Sequence, residues 1–349
     1  MNEFFASLRS GFYKHVGWKR VGIAASLIII TIAVVTLIRM LAGIDFATVI
    51  EAIRQKSYSR IGLAALCVAC AFFTLTFYDL FALRTIGRRD VPYRIASLAS
   101  FTSYTIGHNL GATVFSGGAI RFRIYSEWGL TPIDVAKICF ISGLTFWLGN
   151  ATVLGIGMAL YPDAASAMNY LPESINRLIA AGLLASIVIY LSWLAMGPRQ
   201  LGRNGWMIAL PSARLTFLQI VIGVVDLGFC ALAMYILMPD TPHISYMALA
   251  VIFIMATLLG FASHAPGSLG VFDTAMLLAL PQFATAHVVA SILIFRLLYF
   301  VMPFAISLTV MGSREIWYNA VEPMLQRRKQ RQLSARGVAT QKVGAQPPL

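Results

Sequence analysis

The sequence predicts an all-α integral membrane protein of about eight transmembrane spans, with broken or re-entrant helices and an inverted repeat. Three observations carry this expectation. Of 349 residues, 58% are hydrophobic and only 12% are charged, about half the charged share of an ordinary soluble domain. Apolar runs long enough to cross a bilayer recur at 21–41, 61–83, 133–160, 177–196, 213–238, 245–263 and 285–311. The chain has 27 Lys and Arg against 14 Asp and Glu, a net charge of +13, and in so apolar a chain that excess belongs at a cytoplasmic membrane face. No Walker A pattern, H-E-x-x-H or G-x-G-x-x-G after a strand-like segment occurs, which argues against an ATP-driven pump, a zinc protease or a dinucleotide enzyme.

Residues 1–20 mix Phe4, Phe5, Leu8, Phe12, Tyr13 and Trp18 with Arg9, Lys14, Lys19 and Arg20, the pattern of a short helix lying on the membrane surface. The apolar run that follows has no small-x-small cleavage site, so it reads as an uncleaved anchor. Cys67 and Cys70 form a C-x-x-C, but they lie in an apolar stretch like Cys139 and Cys230. They read as small buried hydrophobes, not as a redox pair. Two further segments are weaker and broken. Residues 95–118 are too rich in Ser, Thr and Gly for a lipid-facing helix, and 264–281 is interrupted by Pro266, Gly267 and Gly270. Irregular backbone at membrane depth is tolerated only where protein buries it or where it lines a wet cavity.

Segments 1–20, 84–94, 119–137, 197–214 and 314–349 hold 21 of the 27 Lys and Arg, whereas loops 161–176 and 239–244 hold none. The former are expected inside and the latter outside. Keeping 84–94 and 119–137 on one side makes 95–118 a re-entrant hairpin; if 95–118 crosses instead, Arg121 and Arg123 face out. The domains read as a surface segment 1–20, a membrane domain 21–313 and a basic, disordered tail 314–349. Both termini are expected in the cytoplasm of a bacterial cell, with the chain in its inner membrane.

Within the membrane domain, 21–160 and 177–311 resemble each other. Asp79 in Y-D-L-F-A-L and Asp226 in V-D-L-G-F-C-A-L are each followed by H-x-x-G opening a glycine-rich break, His108-Asn109-Leu110-Gly111 and His264-Ala265-Pro266-Gly267, and then by Val-Phe. The order starts once inside and once outside, as in transporters with inverted repeats.

An acid inside a span costs roughly 2.5 to 3.5 kcal/mol on the insertion scale, so Asp79 and Asp226 are the first site candidates. Each reads either as a ligand for a cationic amine or as a partner of a structural hydroxyl such as that of Tyr78 or Tyr104. Asp273 and Arg296 can meet as a buried ion pair, structural or substrate-binding. Gly107, Gly111, Gly117, Gly118, Gly267 and Gly270 free backbone N–H groups that can bind an anion where a half-helix begins. Arg121 and Arg123 add donors that can fork onto a phosphate, with Glu127 placed to neutralise one of them. His108 and His264 lack acidic or Cys partners at ligand spacing, so no metal is expected. No nucleophile, base and orienter can be named together, so no catalytic residue is assigned and no cofactor is expected.

The stretch SYTIGHNLGATVFSGGAIRFRIYSEWGL (103–130) together with HAPGSLGVFD (264–273) resembles the membrane half of lysylphosphatidylglycerol synthase/flippase proteins and their stand-alone relatives. The likeness covers about 20–313. Its motifs, G-G-x-x-R and P-G-x-L-G-x-x-acid, fall on Gly117, Gly118 and Arg121, and on Pro266, Gly267, Leu269, Gly270 and Asp273. Ser268 stands where the family usually has a second Gly, and Asp273 where it usually has Glu. In two-domain members the membrane half resembles a lipid flippase, and a soluble domain transfers lysine from charged tRNA to phosphatidylglycerol. With 36 residues after Ser313, no aminoacyl transfer is expected of this polypeptide. The resemblance implies a lipid translocator that handles an anionic or aminoacylated phospholipid. The alternative is a membrane scaffold for a separately encoded lipid-modifying transferase, docked through 84–94 and 197–214. An intramembrane lipid-modifying enzyme is a third reading, and no nucleic-acid partner is expected.

Overall fold

The computed structural model describes residues 46–111, 113–203, 206–263 and 266–316. The surface segment 1–20, the first apolar run 21–41, His264 and most of the basic tail lie outside these residues. The chain divides into two compact units, 1–304 and 305–349. The second is described only to Ile316, where it is helical.

Helices dominate. In chain order they are α1 (Phe46–Gln55), α2 (Tyr58–Thr85), α3 (Tyr93–Leu110), α4 (Thr113–Tyr125), α5 (Pro132–Leu160), α6 (Pro162–Asn169), α7 (Glu173–Ala195), α8 (Ala213–Leu237), α9 (Tyr246–Ala262), α10 (Val271–Ala279), α11 (Thr285–Arg296) and α12 (Met302–Ile316). Among the described residues, five stretches are long and apolar enough to cross a membrane: α2, α5, α7, α8 and Thr285–Ile316, with α9 a shorter apolar helix. The segment 197–214, expected as a loop, carries a small antiparallel hairpin of β1 (Gln200–Arg203) and β2 (Trp206–Ala209).

Helix starts are written into the sequence. Thr131 caps α5, its hydroxyl accepting from the Asp134 N–H while Asp134 accepts from Thr131 N–H, with Pro132 in the first turn. Ser212 and Ser245 cap α8 and α9 in the same way. Each such cap satisfies an amide that the helix leaves orphaned.

The segment 95–118 folds as a helical hairpin, and its second arm runs further than expected, to Tyr125. At 18 and 13 residues, α3 and α4 are about 27 and 20 Å long, each shorter than the ~30 Å hydrocarbon core. They pack on each other and break at Gly111, where φ is 72°. Their outer ends meet, because Arg88 in the loop before α3 donates to the Trp128 carbonyl just after α4. Arg121 is therefore a buried residue on a helix, not in a loop. The hydroxyl-rich sequence of α3 is turned into protein. Ser100, Thr102, Ser103 and Thr105 are buried, Ser100 donates to Leu75 O on α2, and the two threonines donate back to α3 carbonyls.

The second break follows the same logic. At 17 residues, α9 is about 25 Å long and gives way to a tight turn at Pro266–Ser268 before α10. Gly267, Ser268 and Gly270 have φ of 59°, 54° and 78°. Ser268 thus holds a left-handed conformation that favours glycine. Gly260 makes room for it, since a Cβ on Gly260 would come within 2.5 Å of Ser268 Cβ.

Tyr78 meets Asp226, and Arg60 meets Asp240 beyond the end of α8, so α2 and α8 run antiparallel. The turn at Pro266–Ser268 packs on α3, which brings the two hairpins together in the centre. Segments 84–94, 119–137 and 197–214 then share one end of the bundle, and loop 239–244 lies at the other.

α5 and α8 cross at Gly149 and Gly223, where a Cβ on Gly223 would lie 2.9 Å from Gly149 Cα and 3.0 Å from Thr145 O. Backbone on both sides leaves nothing able to yield. Gly223→Ala is expected to cost about 1–3 kcal/mol through overpacking, whereas Gly62→Ala, with nothing within 4 Å, should gain up to about 1 kcal/mol from helix propensity. Thermal unfolding of the two variants in detergent checks this, and equal midpoints would refute the tight crossing.

Candidate functional site

Asp79 sits six residues before the end of α2 and is fully buried. Arg121 on α4 binds it with a fork, Nε to Oδ1 and Oδ2 at 3.1 and 2.9 Å and Nη2 to Oδ1 at 2.7 Å. The Tyr125 hydroxyl donates to Oδ2 at 2.9 Å and the Ser142 hydroxyl to Oδ1 at 3.2 Å. The guanidinium also lies over the Tyr104 ring, 5.0 Å from its centre. Two residues read from sequence as separate ligands for an amine and a phosphate are therefore bound to each other. Both carboxylate oxygens accept hydrogen bonds from within the protein. Gly117 permits the arrangement: a Cβ there would press on Ser103 O at 3.1 Å and Arg121 Nη1 at 3.4 Å.

Asp226 is different. It is buried in α8, its Oδ2 accepts from the Tyr78 hydroxyl at 3.0 Å, and its Oδ1 has no hydrogen-bond partner among the described residues. Tyr78 and Asp79 are neighbours on α2, so one short stretch of helix touches both intramembrane acids. Asp226 faces a cavity of about 40 Å³ lined also by Tyr104, His108, Thr257, Ser268 and Tyr299. Tyr104, His108 and Phe261 follow one another along its wall at ring separations of 5.5 and 5.1 Å. The cavity lies where α3 meets the Pro266–Ser268 turn, and its volume suits a water or two.

Asp273 and Arg296 form the ion pair that the sequence allowed. Nε donates to Oδ1 and Nη2 to Oδ2, both at 2.8 Å. Arg296 also donates to Gly267 O at 2.9 Å and Ser268 O at 3.4 Å, so the arginine satisfies carbonyls exposed by the broken turn. Asp273 in addition accepts from the Gly270 N–H at 2.8 Å. The short acid thus reaches a partner without the extra methylene of Glu.

The remaining candidates divide. Asn109 donates to Thr105 O and to Phe300 O in the π-helical turn Leu297–Val301, and its Oδ1 is unpartnered among the described residues. Gly111, Pro266, Gly267 and Gly270 form the two hairpin tips. Gly118 lies outside this cluster, on the floor of an open apolar groove between α4 and α5. Arg123 is also elsewhere, half-exposed and paired with Glu127 at 3.0 Å. The four free cysteines form no disulfide, and the described residues contain no cluster able to hold a metal. Tyr125 and Ser142 were not legible as site residues, although Tyr125 stands one helical turn after Arg121.

Breaking the Asp79–Arg121 pair from one side strands a buried charge. Asp79→Leu or Arg121→Met alone is expected to destabilise by about 3–5 kcal/mol, and the double replacement by much less than their sum. A double-mutant cycle read by thermal unfolding checks this; additive losses would show that the two groups are not coupled.

Three relatives bear on identity, while no family model matches the chain. An uncharacterized protein, slr0712, of Synechocystis is 30% identical over 266 residues, covering 75% of this chain and 80% of the relative. The inner membrane protein YbhN of Escherichia coli is 27% identical over 288 residues, covering 79% and 87%. A phosphatidylglycerol lysyltransferase of Staphylococcus aureus is 24% identical over 293 residues, which cover 82% of this chain but 33% of that enzyme. The chain belongs to the family of multi-pass membrane proteins related to the membrane domain of the lysylphosphatidylglycerol synthase/flippase proteins.

Proposed function

We propose that this protein moves a phospholipid head group between the leaflets of a bacterial inner membrane, with the basic end of the bundle in the cytoplasm. The observation that carries the reading is Asp226. An acid at membrane depth is costly, and this one keeps one oxygen unpartnered among the described residues, in a small, largely apolar cavity where two broken hairpins meet. Such a site accepts an ammonium or hydroxyl donor from a head group, while the acyl tails stay in lipid. The relation to a phosphatidylglycerol lysyltransferase supports a lipid whose head group carries an amine. At about 40 Å³ the cavity is too small for a head group, so on this reading the hairpins part during transport, and the glycine tips are where they bend.

The test uses liposomes containing the purified full chain, an acyl-labelled lipid and an impermeant reductant. Wild-type protein should carry bleaching past the outer-leaflet half for both phosphatidylethanolamine and phosphatidylglycerol. Asp226→Asn should slow the amine-bearing lipid about tenfold more than phosphatidylglycerol, the worth of one charge-assisted contact. Equal slowing of both would defeat the assignment of Asp226 to the amine. Bleaching that stops at half for every lipid, with a transferase co-purifying, would favour the scaffold reading.

A further inference from the structure

Three basic residues sit at the end of the bundle where the charge pattern places none. Arg54 closes α1, Lys56 follows it and Arg60 opens α2, at the opposite end from segments 84–94, 119–137 and 197–214. Lys and Arg are depleted on the translocated side of membrane proteins, so a cluster there calls for a local reason. Arg60 donates to both carboxylate oxygens of Asp240 at 2.7 and 2.6 Å, and to Met238 O at 3.5 Å. The side chains of this pair are 37% and 78% exposed, and a pair so wet adds little to stability and is open to exchange with another anion. Among the described residues neither Arg54 nor Lys56 is in an ion pair. Partial burial, and then repulsion from Arg60, lower the Lys56 pKa from its ordinary value, with Asp240 acting against them. A second anion arriving there relieves that repulsion.

Beside the pair is a cavity of about 280 Å³, lined by Arg60, Leu63, Tyr235, Met238, Asp240 and His243. Its lining combines apolar side chains with the charges of Arg60 and Asp240. Leu63, exposed on α2, lines it as a lipid-facing aliphatic does.

We propose that this cavity is a binding site for the phosphodiester of a phospholipid in the leaflet at that end of the bundle. The Arg60 fork turns from Asp240 to the phosphate, Lys56 adds a second cation, and Leu63 and Tyr235 pack on the glycerol. The site deepens the translocator reading, as the place where a head group is received or released, and its binding can be measured without transport.

The test is titration calorimetry on the full chain in neutral detergent, with dihexanoylphosphatidylglycerol, inorganic phosphate and dihexanoylglycerol as separate probes. The phosphatidylglycerol probe should bind, and the other two should bind at least about tenfold more weakly. Lys56→Ala with Arg60→Ala should weaken binding at least about tenfold, whereas Asp240→Asn, which frees the Arg60 fork, should tighten it severalfold. Loss of binding in Asp240→Asn would show the pair to be structural and overturn the proposal, even if the arginine variant fails to fold. Inorganic phosphate binding as tightly as the lipid would overturn its lipid source. Wild-type binding without any movement in liposomes would leave this site standing and defeat the translocator reading. Unchanged binding in the Lys56 and Arg60 variant would defeat the site alone.

Discussion

A charge carried into hydrocarbon must find its counter-charge inside the protein, and the Asp79–Arg121 pair is where this fold meets that demand. The pair joins α2 to the returning arm of the first hairpin, and Tyr125 and Ser142 add the end of α4 and the body of α5 to the same carboxylate. Three hydrogen-bonding side chains from two helices therefore converge on one acid. Such a pair contributes little net stability against an apolar replacement, but it is costly to break from one side. Its effect is to fix where α4 lies, and so where α3 and the glycine tip between them lie.

The second hairpin is held by the same chemistry in the opposite sense. In the first, the hairpin carries the arginine and reaches back to an acid on the preceding helix. In the second, it carries Asp273 and reaches forward to Arg296 on the following one. Arg296 also takes up the carbonyls of Gly267 and Ser268, which a turn at membrane depth cannot leave to water. With both hairpins tethered, the Pro266–Ser268 turn packs on α3, and Asp226 has no arginine partner among the described residues. What is left at the centre is one half-satisfied carboxylate in a small cavity walled by Tyr104, His108 and Tyr299.

The bundle is also polar from end to end. Its basic end is held together by short contacts such as Arg88 with Asp90 and the Trp128 carbonyl, and the Arg88 hydrogen bond lowers the pKa of Asp90. The opposite end carries fewer charges, and its most prominent pair, Arg60 with Asp240, is open to solvent and lines a cavity. A cation that is buried and forked onto a carboxylate, like Arg121, exchanges partners less readily than one paired at the surface, like Arg60.

Much of this was legible in the chain. Hydropathy located the long spans, because crossing a bilayer needs about 20 apolar residues whatever they pack against. Gly111 and the Pro266–Gly270 run marked the breaks, because their backbone conformations are local properties. Glu127 could be matched to Arg123 because one helical turn separates them. By contrast, 42 residues separate Asp79 from Arg121 and 148 separate Tyr78 from Asp226, and no local rule chooses among distant partners. Composition therefore determined that this is a membrane protein with interrupted helices and costly buried acids. Only the packing of the helices decided which acid is spent on an arginine and which retains a free oxygen, because a buried charge is settled by whatever lies within hydrogen-bonding reach, and that is a property of the folded chain.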